Sequence, residues 1–273
     1  MSQQILFLRD ELQQAWKGRD VFRLLAEQEG TVYRDKEGRR TLQFELNGRS
    51  YFLKYHGGVG WREIIKNLLQ LRVPIISAAN EWQAIKRLHE LGIETMQLAA
   101  YGERGCNPAK RVSFVVTDEL TDTMSLEHLG QQWRQHPPTF KTKQALIRKL
   151  GEISRAMHQA GINHRDYYLC HFLLNKSFAT DNQFDDSTPL FLIDLHRTQQ
   201  RSKVPRRWLV KDLGSLYFSA HDVALTQRDR YRFIKHYSGL TLREALMQQG
   251  SFWRQVEQRA STLLDKWHKR AGG

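Results

Sequence analysis

Alternating apolar and polar residues between Gly30 and His56 place the strongest constraint on the fold of this chain. In the run L-Q-F-E-L every second residue is apolar, which is the period of a strand with one buried face. Asn47-Gly48 separates this run from the next, Y-F-L-K-Y, and both turn residues tolerate the positive φ that a type I′ turn requires. The segment is therefore predicted to be an antiparallel meander.

Helical periodicity follows the meander. The segment S-A-A-N-E-W-Q-A-I-K-R-L-H-E-L-G predicts a helix that small polar residues open and Gly92 closes, because glycine readily adopts the left-handed conformation found just after a helix. Further along, apolar residues recur with a period of 3.6 from Leu146 to Met157 and predict a second long helix that ends near Gly161.

The order of these elements predicts an α+β fold. Strands and one or two helices come first, and a polar, proline-containing stretch between Asp118 and Thr139 separates them from a mainly helical remainder. We predict an antiparallel-sheet N-lobe at 1–120 and a helical C-lobe at 121–273.

Four residues in separate predicted elements have the chemistry that phosphoryl transfer needs, which is positioning and charge neutralisation. Lys54 lies in a strand of the meander, Glu81 in the first turn of a helix, Asp166 after His-Arg, and Asp194 at the end of the run L-F-L-I-D. Plainer interpretations stay open for two of them. Lys54 is also typical of a solvated strand lysine, and Glu81 of a carboxylate favoured by the helix dipole.

The order of these residues resembles that of the protein-kinase-like fold, and M-H-Q-A-G-I-N-H-R-D resembles the segment that leads into its catalytic loop. The resemblance implies that Lys54 pairs with Glu81 and holds the phosphates of ATP. It also implies that Asp166 is the catalytic base, that Asp194 binds Mg²⁺, and that Asp212 buttresses the catalytic loop.

His171 stands where protein kinases carry the asparagine of H-R-D-x-x-x-x-N. Mg²⁺ prefers oxygen ligands, so an imidazole is a poor substitute for an asparagine carbonyl. Two interpretations follow. His171 either hydrogen-bonds Asp194 or a phosphate beside a single Mg²⁺, or it ligates the metal directly with tolerance for Mn²⁺.

Several longer segments are together similar, across nearly the whole chain, to the lipopolysaccharide core heptose(I) kinase family (WaaP/RfaP). They are K-Y-H-G-G-V-G-W, N-E-W-Q-A-I-K-R-L-H-E-L-G-I, H-R-D-Y-Y-L-C-H-F-L-L and R-R-W-L-V-K-D-L-G-S-L-Y-F-S-A. In that family H-R-D-x-x-x-x-H is normal. The resemblance implies ATP-dependent phosphorylation of the first heptose of the lipopolysaccharide inner core, at O4. A Kdo kinase of the same superfamily and a nucleotide-binding pseudokinase are the alternatives.

The chain has a formal net charge of +13, from 42 Lys and Arg against 29 Asp and Glu, which implies an anionic partner. The family resemblance points to a lipid A-core lipopolysaccharide acceptor at an anionic membrane face, with acyl carrier protein as a further candidate partner. A nucleic-acid partner is not expected, since the sequence lacks zinc-finger, RRM and helix-turn-helix signatures.

Only two cysteines occur, and they lack the spacing of a zinc site. Charged residues interrupt the N-terminal segment, and no apolar run approaches the roughly 20 residues that span a bilayer. We therefore expect a cytoplasmic, non-spanning protein, and the family resemblance implies that it is peripheral to the inner face of the inner membrane. The apolar stripe from Trp61 to Leu69 is interpreted as a core face, or alternatively as a surface for a bilayer or a partner helix.

Overall fold

The computed structural model describes residues 4–36, 38–58, 60–69, 77–181, 184–223 and 225–271. The chain divides into two compact units, the first comprising Met1–Arg87 with Met96–Leu120 and the second Leu88–Thr95 with Thr121–Gly273. The second unit thus includes one segment, Leu88–Thr95, that the sequence had placed in the N-lobe. Its backbone is tied to the helical unit, because Leu192 N–H donates to the carbonyl oxygen of Glu94 at 2.9 Å.

The first unit is built on an antiparallel sheet. Its strands are β1 (Gln4–Leu8), β2 (Thr31–Lys36), β3 (Arg39–Leu46), β4 (Arg49–His56), β5 (Leu98–Arg104) and β6 (Val112–Asp118). The described strands lie in the order β1-β5-β6-β4-β3-β2. Helices α1 (Asp10–Ala15), α2 (Val21–Ala26), α3 (Gly60–Leu69) and α4 (Ala79–Glu90) accompany the sheet.

The predicted hairpin is confirmed between β3 and β4, where Leu46 pairs with Arg49 across the turn. Both turn residues have positive φ, 51° at Asn47 and 73° at Gly48. The alternating residues behave as the pattern predicts, since Leu42 is fully buried. The apolar core beneath the sheet contains Leu12, Phe22, Leu25, Leu42, Phe44, Leu53 and Phe114.

The second unit is mainly helical. Its helices are α5 (Leu126–Gln132), α6 (Phe140–Gln159), α7 (Lys176–Asp181), α8 (Arg206–Ser219), α9 (Gln227–Ser238) and α10 (Leu242–Ala271). Short strands β7 (Thr123–Ser125), β8 (Ile162–Asn163), β9 (Phe172–Asn175), β10 (Phe191–Leu192) and β11 (Gln199–Gln200) form two small sheets, β10-β9-β7 and β11-β8.

Helix α6 leads the chain into β8 and the predicted catalytic loop. The hydroxyl oxygen of Thr139 caps its N-terminus by accepting from Thr142 N–H, and its predicted apolar stripe is buried. Gly161 follows the helix with φ of 81°, and a Cβ at this position would overlap the carbonyl oxygen of Arg201. Only glycine therefore lets the chain enter β8 here.

Helix α3 corrects the interpretation of the Trp61 to Leu69 stripe as a core face. Ile64 is buried, but Trp61, Ile65 and Leu69 are 55%, 52% and 80% exposed. The period is helical as predicted, yet most of the described stripe residues are exposed.

Candidate active site

The first unit holds the Lys54–Glu81 pair that the resemblance implied. Lys54 lies on β4 with Thr41 and Val115 as its register partners on the two flanking strands, so its backbone is fixed within the sheet. Its Nζ donates to Oε1 of Glu81 at 2.7 Å. The Glu81 side chain is only 3% exposed, and a carboxylate at such a depth needs a charged partner. The plainer interpretations, a solvated lysine and an ordinary N-terminal carboxylate, do not describe this pair.

The second unit holds the catalytic-loop segment, which connects β8 to β9. Asp212, fully buried on α8, accepts from the backbone N–H of His164 at 2.6 Å and of Arg165 at 2.9 Å. Arg165 adopts φ of 77°, a conformation that costs a non-glycine residue about 1–2 kcal/mol. Asp212 therefore buttresses the loop as predicted, by bonding the backbone directly before Asp166.

His164 links the loop to the segment that carries Asp194. Its Nε2 donates to the carbonyl oxygen of Ile193 at 2.9 Å, and its side chain is fully buried. Burial lowers the pKa of His164, so the ring is neutral and acts as a structural hydrogen-bond donor.

Asp166 has an ion-pair partner that the sequence analysis missed. Nη1 of Arg197 donates to both carboxylate oxygens of Asp166, at 2.8 Å and 3.0 Å. Arg197 ends the short 3₁₀ turn Leu195–Arg197 that directly follows Asp194. The motif L-I-D-L-H-R contains this arginine, but only the turn brings it back to the catalytic loop.

His171 lies between the two aspartates. Its Nδ1 donates to the backbone carbonyl of Asp166 at 2.6 Å, and its Nε2 lies 3.6 Å from Oδ2 of Asp194. Burial lowers the pKa of His171, but its interactions with Cys170, the Asp166 carbonyl and Asp194 outweigh burial and raise the pKa to about 9. The structure thus brings Asp166, His171 and Asp194 together.

Asp194 has an unusual backbone conformation and a close side-chain partner. Its φ is 61°, in the left-handed region, and Nδ1 of His196 contacts its Oδ1 at 2.6 Å. Within the described residues no group of three or more His, Cys, Asp or Glu side chains is arranged to hold a metal. Asp194 itself offers carboxylate oxygens, the type of ligand that Mg²⁺ prefers.

Comparison with known proteins agrees with this arrangement. The sequence model of the lipopolysaccharide kinase (Kdo/WaaP) family matches residues 24–237. The chain belongs to this family. It is therefore a kinase, and the resemblance inferred from its motifs is confirmed.

Relatives within the Kdo/WaaP family span nearly the full chain. The lipopolysaccharide core heptose(I) kinase WaaP of Pseudomonas aeruginosa is 47% identical over 262 residues, which cover 96% of both chains. The corresponding kinase of Escherichia coli K12 is 45% identical over 263 residues, covering 96% of this chain and 98% of that protein. These matches support a kinase of the lipopolysaccharide core.

A solved structure confirms the predicted α+β, protein-kinase-like fold. It is described as WaaP in complex with acyl carrier protein, is 44% identical, and superposes with a TM-score of 0.80. The match covers 95% of this chain and 99% of that one.

Proposed function

We propose that this kinase transfers a phosphoryl group from ATP to O4 of the first heptose of the lipopolysaccharide inner core. The observation that carries the proposal is the joint arrangement of Asp166, His171 and Asp194, with Nη1 of Arg197 contacting both oxygens of Asp166. A sugar hydroxyl needs a base, and a phosphoryl donor needs a cation held by a carboxylate. The names of the full-length relatives support the heptose as acceptor.

In this mechanism Asp166 accepts the proton of the attacking hydroxyl. Arg197 orients the carboxylate by contacting both of its oxygens, and Asp212 holds the loop that carries it. Lys54, kept in place by Glu81, binds the phosphates of ATP. When bound, Mg²⁺ would neutralise charge on the phosphate oxygens, with Asp194 as its protein ligand.

For His171 we propose the role of a charged neighbour of Asp194 rather than that of a metal ligand. Nδ1 donates to the Asp166 carbonyl at 2.6 Å and Nε2 faces Oδ2 of Asp194 at 3.6 Å, so both ring nitrogens lie beside acceptor oxygens, an arrangement that favours the imidazolium form. A protonated imidazole has no lone pair for a metal.

The test uses purified protein with ATP, Mg²⁺ and two truncated lipopolysaccharide acceptors, one ending at Kdo and one at heptose. We expect the mass of one phosphate to be added to the heptose acceptor alone, with O4 identified by NMR and with no product from Asp166→Asn. Transfer to the Kdo acceptor would instead assign a Kdo kinase. ATP binding by folded protein without transfer to either acceptor would indicate a pseudokinase.

We propose acyl carrier protein as a partner, since the solved WaaP structure is a complex with that protein. The second unit contains a largely apolar cavity of about 430 Å³, a volume that suits a small apolar group. Its lining includes Leu129, Leu146, Ile147, Leu216 and Trp253. Native mass spectrometry of the affinity-purified protein tests the idea, and monodisperse protein free of acyl carrier protein would contradict it.

We also propose peripheral attachment to the cytoplasmic, anionic face of the inner membrane. No helix among the described residues is long and apolar enough to cross a bilayer. Helix α3 exposes Trp61, Ile65 and Leu69, and it exposes Arg62 and Lys66 as well. Flotation with phosphatidylglycerol-containing vesicles, but not with pure phosphatidylcholine vesicles, is expected, and loss of flotation in Trp61→Ser with Leu69→Ser would locate the contact.

A further inference from the structure

Cationic side chains crowd around one tryptophan beside the proposed catalytic base. The indole ring of Trp208, on α8, has four cations within 6 Å of its centre. The distances are 4.9 Å to Nζ of Lys211, 5.2 Å to the guanidinium carbon of Arg165, 5.6 Å to that of Arg207 and 5.9 Å to that of Arg201. Together with Arg197 these four residues are called the cation cluster below.

The cation cluster keeps an excess of positive charge. Its nearby carboxylates are already engaged, because Asp166 is paired with Arg197 and Asp212 accepts two backbone N–H groups. Burial lowers the pKa of Lys211, and the charges of Arg165 and Arg197 lower it further. Repulsion of this kind is unfavourable to folding and is relieved when an anion binds.

Several donors of the cluster have no partner within the described part of the chain. Nε of Arg165 and Nε1 of Trp208 are buried and make no hydrogen bond. The Lys211 side chain makes neither a hydrogen bond nor an ion pair there, and the Arg201 guanidinium donates only to the neutral side chains of Gln199 and Asn163. These groups are arranged to receive oxygen acceptors.

Trp208 holds the cations of the cluster close together. Its ring attracts each cation through the π-face, so the side chains converge instead of turning toward solvent. Arg197 contacts Asp166, and its charge also lowers the pKa of Lys211. The cation cluster therefore adjoins the carboxylate that would receive the hydroxyl proton.

From this arrangement we infer that the cation cluster binds an anionic group of the saccharide acceptor, a sugar carboxylate or a sugar phosphate, next to the hydroxyl presented to Asp166. The inference rests on the proposed function and identifies the chemical group of the acceptor that the protein recognises. Binding there orients the neighbouring sugar, so acceptors with this charge are distinguished from neutral sugars.

The primary test compares Lys211→Met with the parent on the heptose-ended acceptor. Methionine keeps the length of the side chain and removes its charge. We expect KM for the acceptor to rise about tenfold, the effect of losing one charged hydrogen bond, while kcat and the KM for ATP stay within about twofold. Lys211→Arg should restore the acceptor KM. The matched control is Lys203→Met, which removes an exposed cation of the same unit and should change nothing.

Modified acceptors identify the bound group. If it is a carboxylate, an acceptor with its sugar carboxylates reduced to alcohols will show the same KM with the parent and with Lys211→Met. If it is a phosphate, a dephosphorylated acceptor will do so. An unchanged acceptor KM in Lys211→Met overturns the inference. A rise in the KM for ATP in place of the acceptor KM also overturns it, and would assign the cation cluster to nucleotide binding.

Failure of the proposed function is distinguishable from failure of this inference. If the parent phosphorylates neither acceptor, binding of the heptose-ended acceptor is measured by calorimetry at two salt concentrations. Binding that weakens with added salt, that is weaker in Lys211→Met and that is unchanged in Lys203→Met would support acceptor binding by the cation cluster. Equal binding by the two variants would refute it.

Discussion

Replacing Asp212 with asparagine tests the physical account of the catalytic loop. The two carboxylate oxygens of Asp212 accept from two adjacent backbone N–H groups, at 2.6 Å and 2.9 Å, in a fully buried position. An asparagine has only one acceptor oxygen, so its NH₂ group must face the second backbone N–H. Both groups are donors, and no hydrogen bond can form between them.

The expected cost follows from this mismatch. One buried N–H is left without a partner, at about 1–3 kcal/mol, and the other bond loses its charge assistance, at about 1 kcal/mol. We therefore expect Asp212→Asn to lower the free energy of unfolding by about 2–4 kcal/mol. A domain with a stability of about 5–15 kcal/mol stays folded after such a loss.

Urea titration followed by circular dichroism measures this loss. The matched control is Asp222→Asn, which removes a half-exposed carboxylate paired with Arg134 and should cost no more than about 0.5 kcal/mol. The reasoning is refuted if Asp212→Asn unfolds at the same urea concentration as the control.

Activity provides a second measurement on Asp212→Asn. The aspartate holds Arg165 in its left-handed conformation and thereby sets the position of Asp166. A relaxed loop would misplace the proposed base, and we expect kcat to fall about tenfold to hundredfold in protein that is still folded. A folded variant with the parental kcat would mean that Asp212 is dispensable for positioning.

Three further predictions follow from named contacts. Gly161→Ala would place a Cβ against the carbonyl oxygen of Arg201. We expect this variant to lose more than about 1 kcal/mol of unfolding free energy in a urea titration. An unfolding midpoint equal to that of the parent would contradict this prediction. Asp229→Asn should cost about 2–4 kcal/mol at pH 7, because it breaks a buried ion pair with Lys143 at 2.8 Å. Burial raises the pKa of Asp229, but bonds from Lys143 and from the N-cap residue of α9 outweigh it and hold the pKa below its ordinary value of 3.8. The carboxylate is therefore stabilising above about pH 4, and the difference from the asparagine variant should shrink as the pH falls further. If it persists at pH 2, the pKa reasoning is wrong. His171→Asn should retain part of the turnover with an unchanged ratio of Mg²⁺ to Mn²⁺ activity; complete loss in folded protein would give the imidazole a specific role.

Much of the fold was predictable because its signals are local. The Asn47-Gly48 turn and the alternation around it involve a few consecutive residues, and the structure confirms both. The Lys54–Glu81 pair was predictable for another reason. Family resemblance implied it, and no periodicity in the sequence would have joined two residues that far apart.

Helix α3 and Arg197 mark the limit of such reasoning. A helical apolar stripe predicts which residues share a face, but whether another element covers that face depends on the rest of the fold, and Trp61 and Leu69 are exposed. In the sequence, nothing distinguishes Arg197 from other basic residues that follow a strand. In the structure, a short 3₁₀ turn places its guanidinium against Asp166.

The sequence by itself determined the order of the elements and the turn and helix-end glycines, since these depend on neighbouring residues, and the family motifs singled out the candidate carboxylates and lysine. Only the tertiary structure decided which charges are paired and which are left over. Charge pairing depends on distances of a few ångströms between residues remote in the chain. The cation cluster around Trp208 is the clearest case, because its members come from the catalytic loop, from the segment after Asp194 and from α8, and packing alone brings them together.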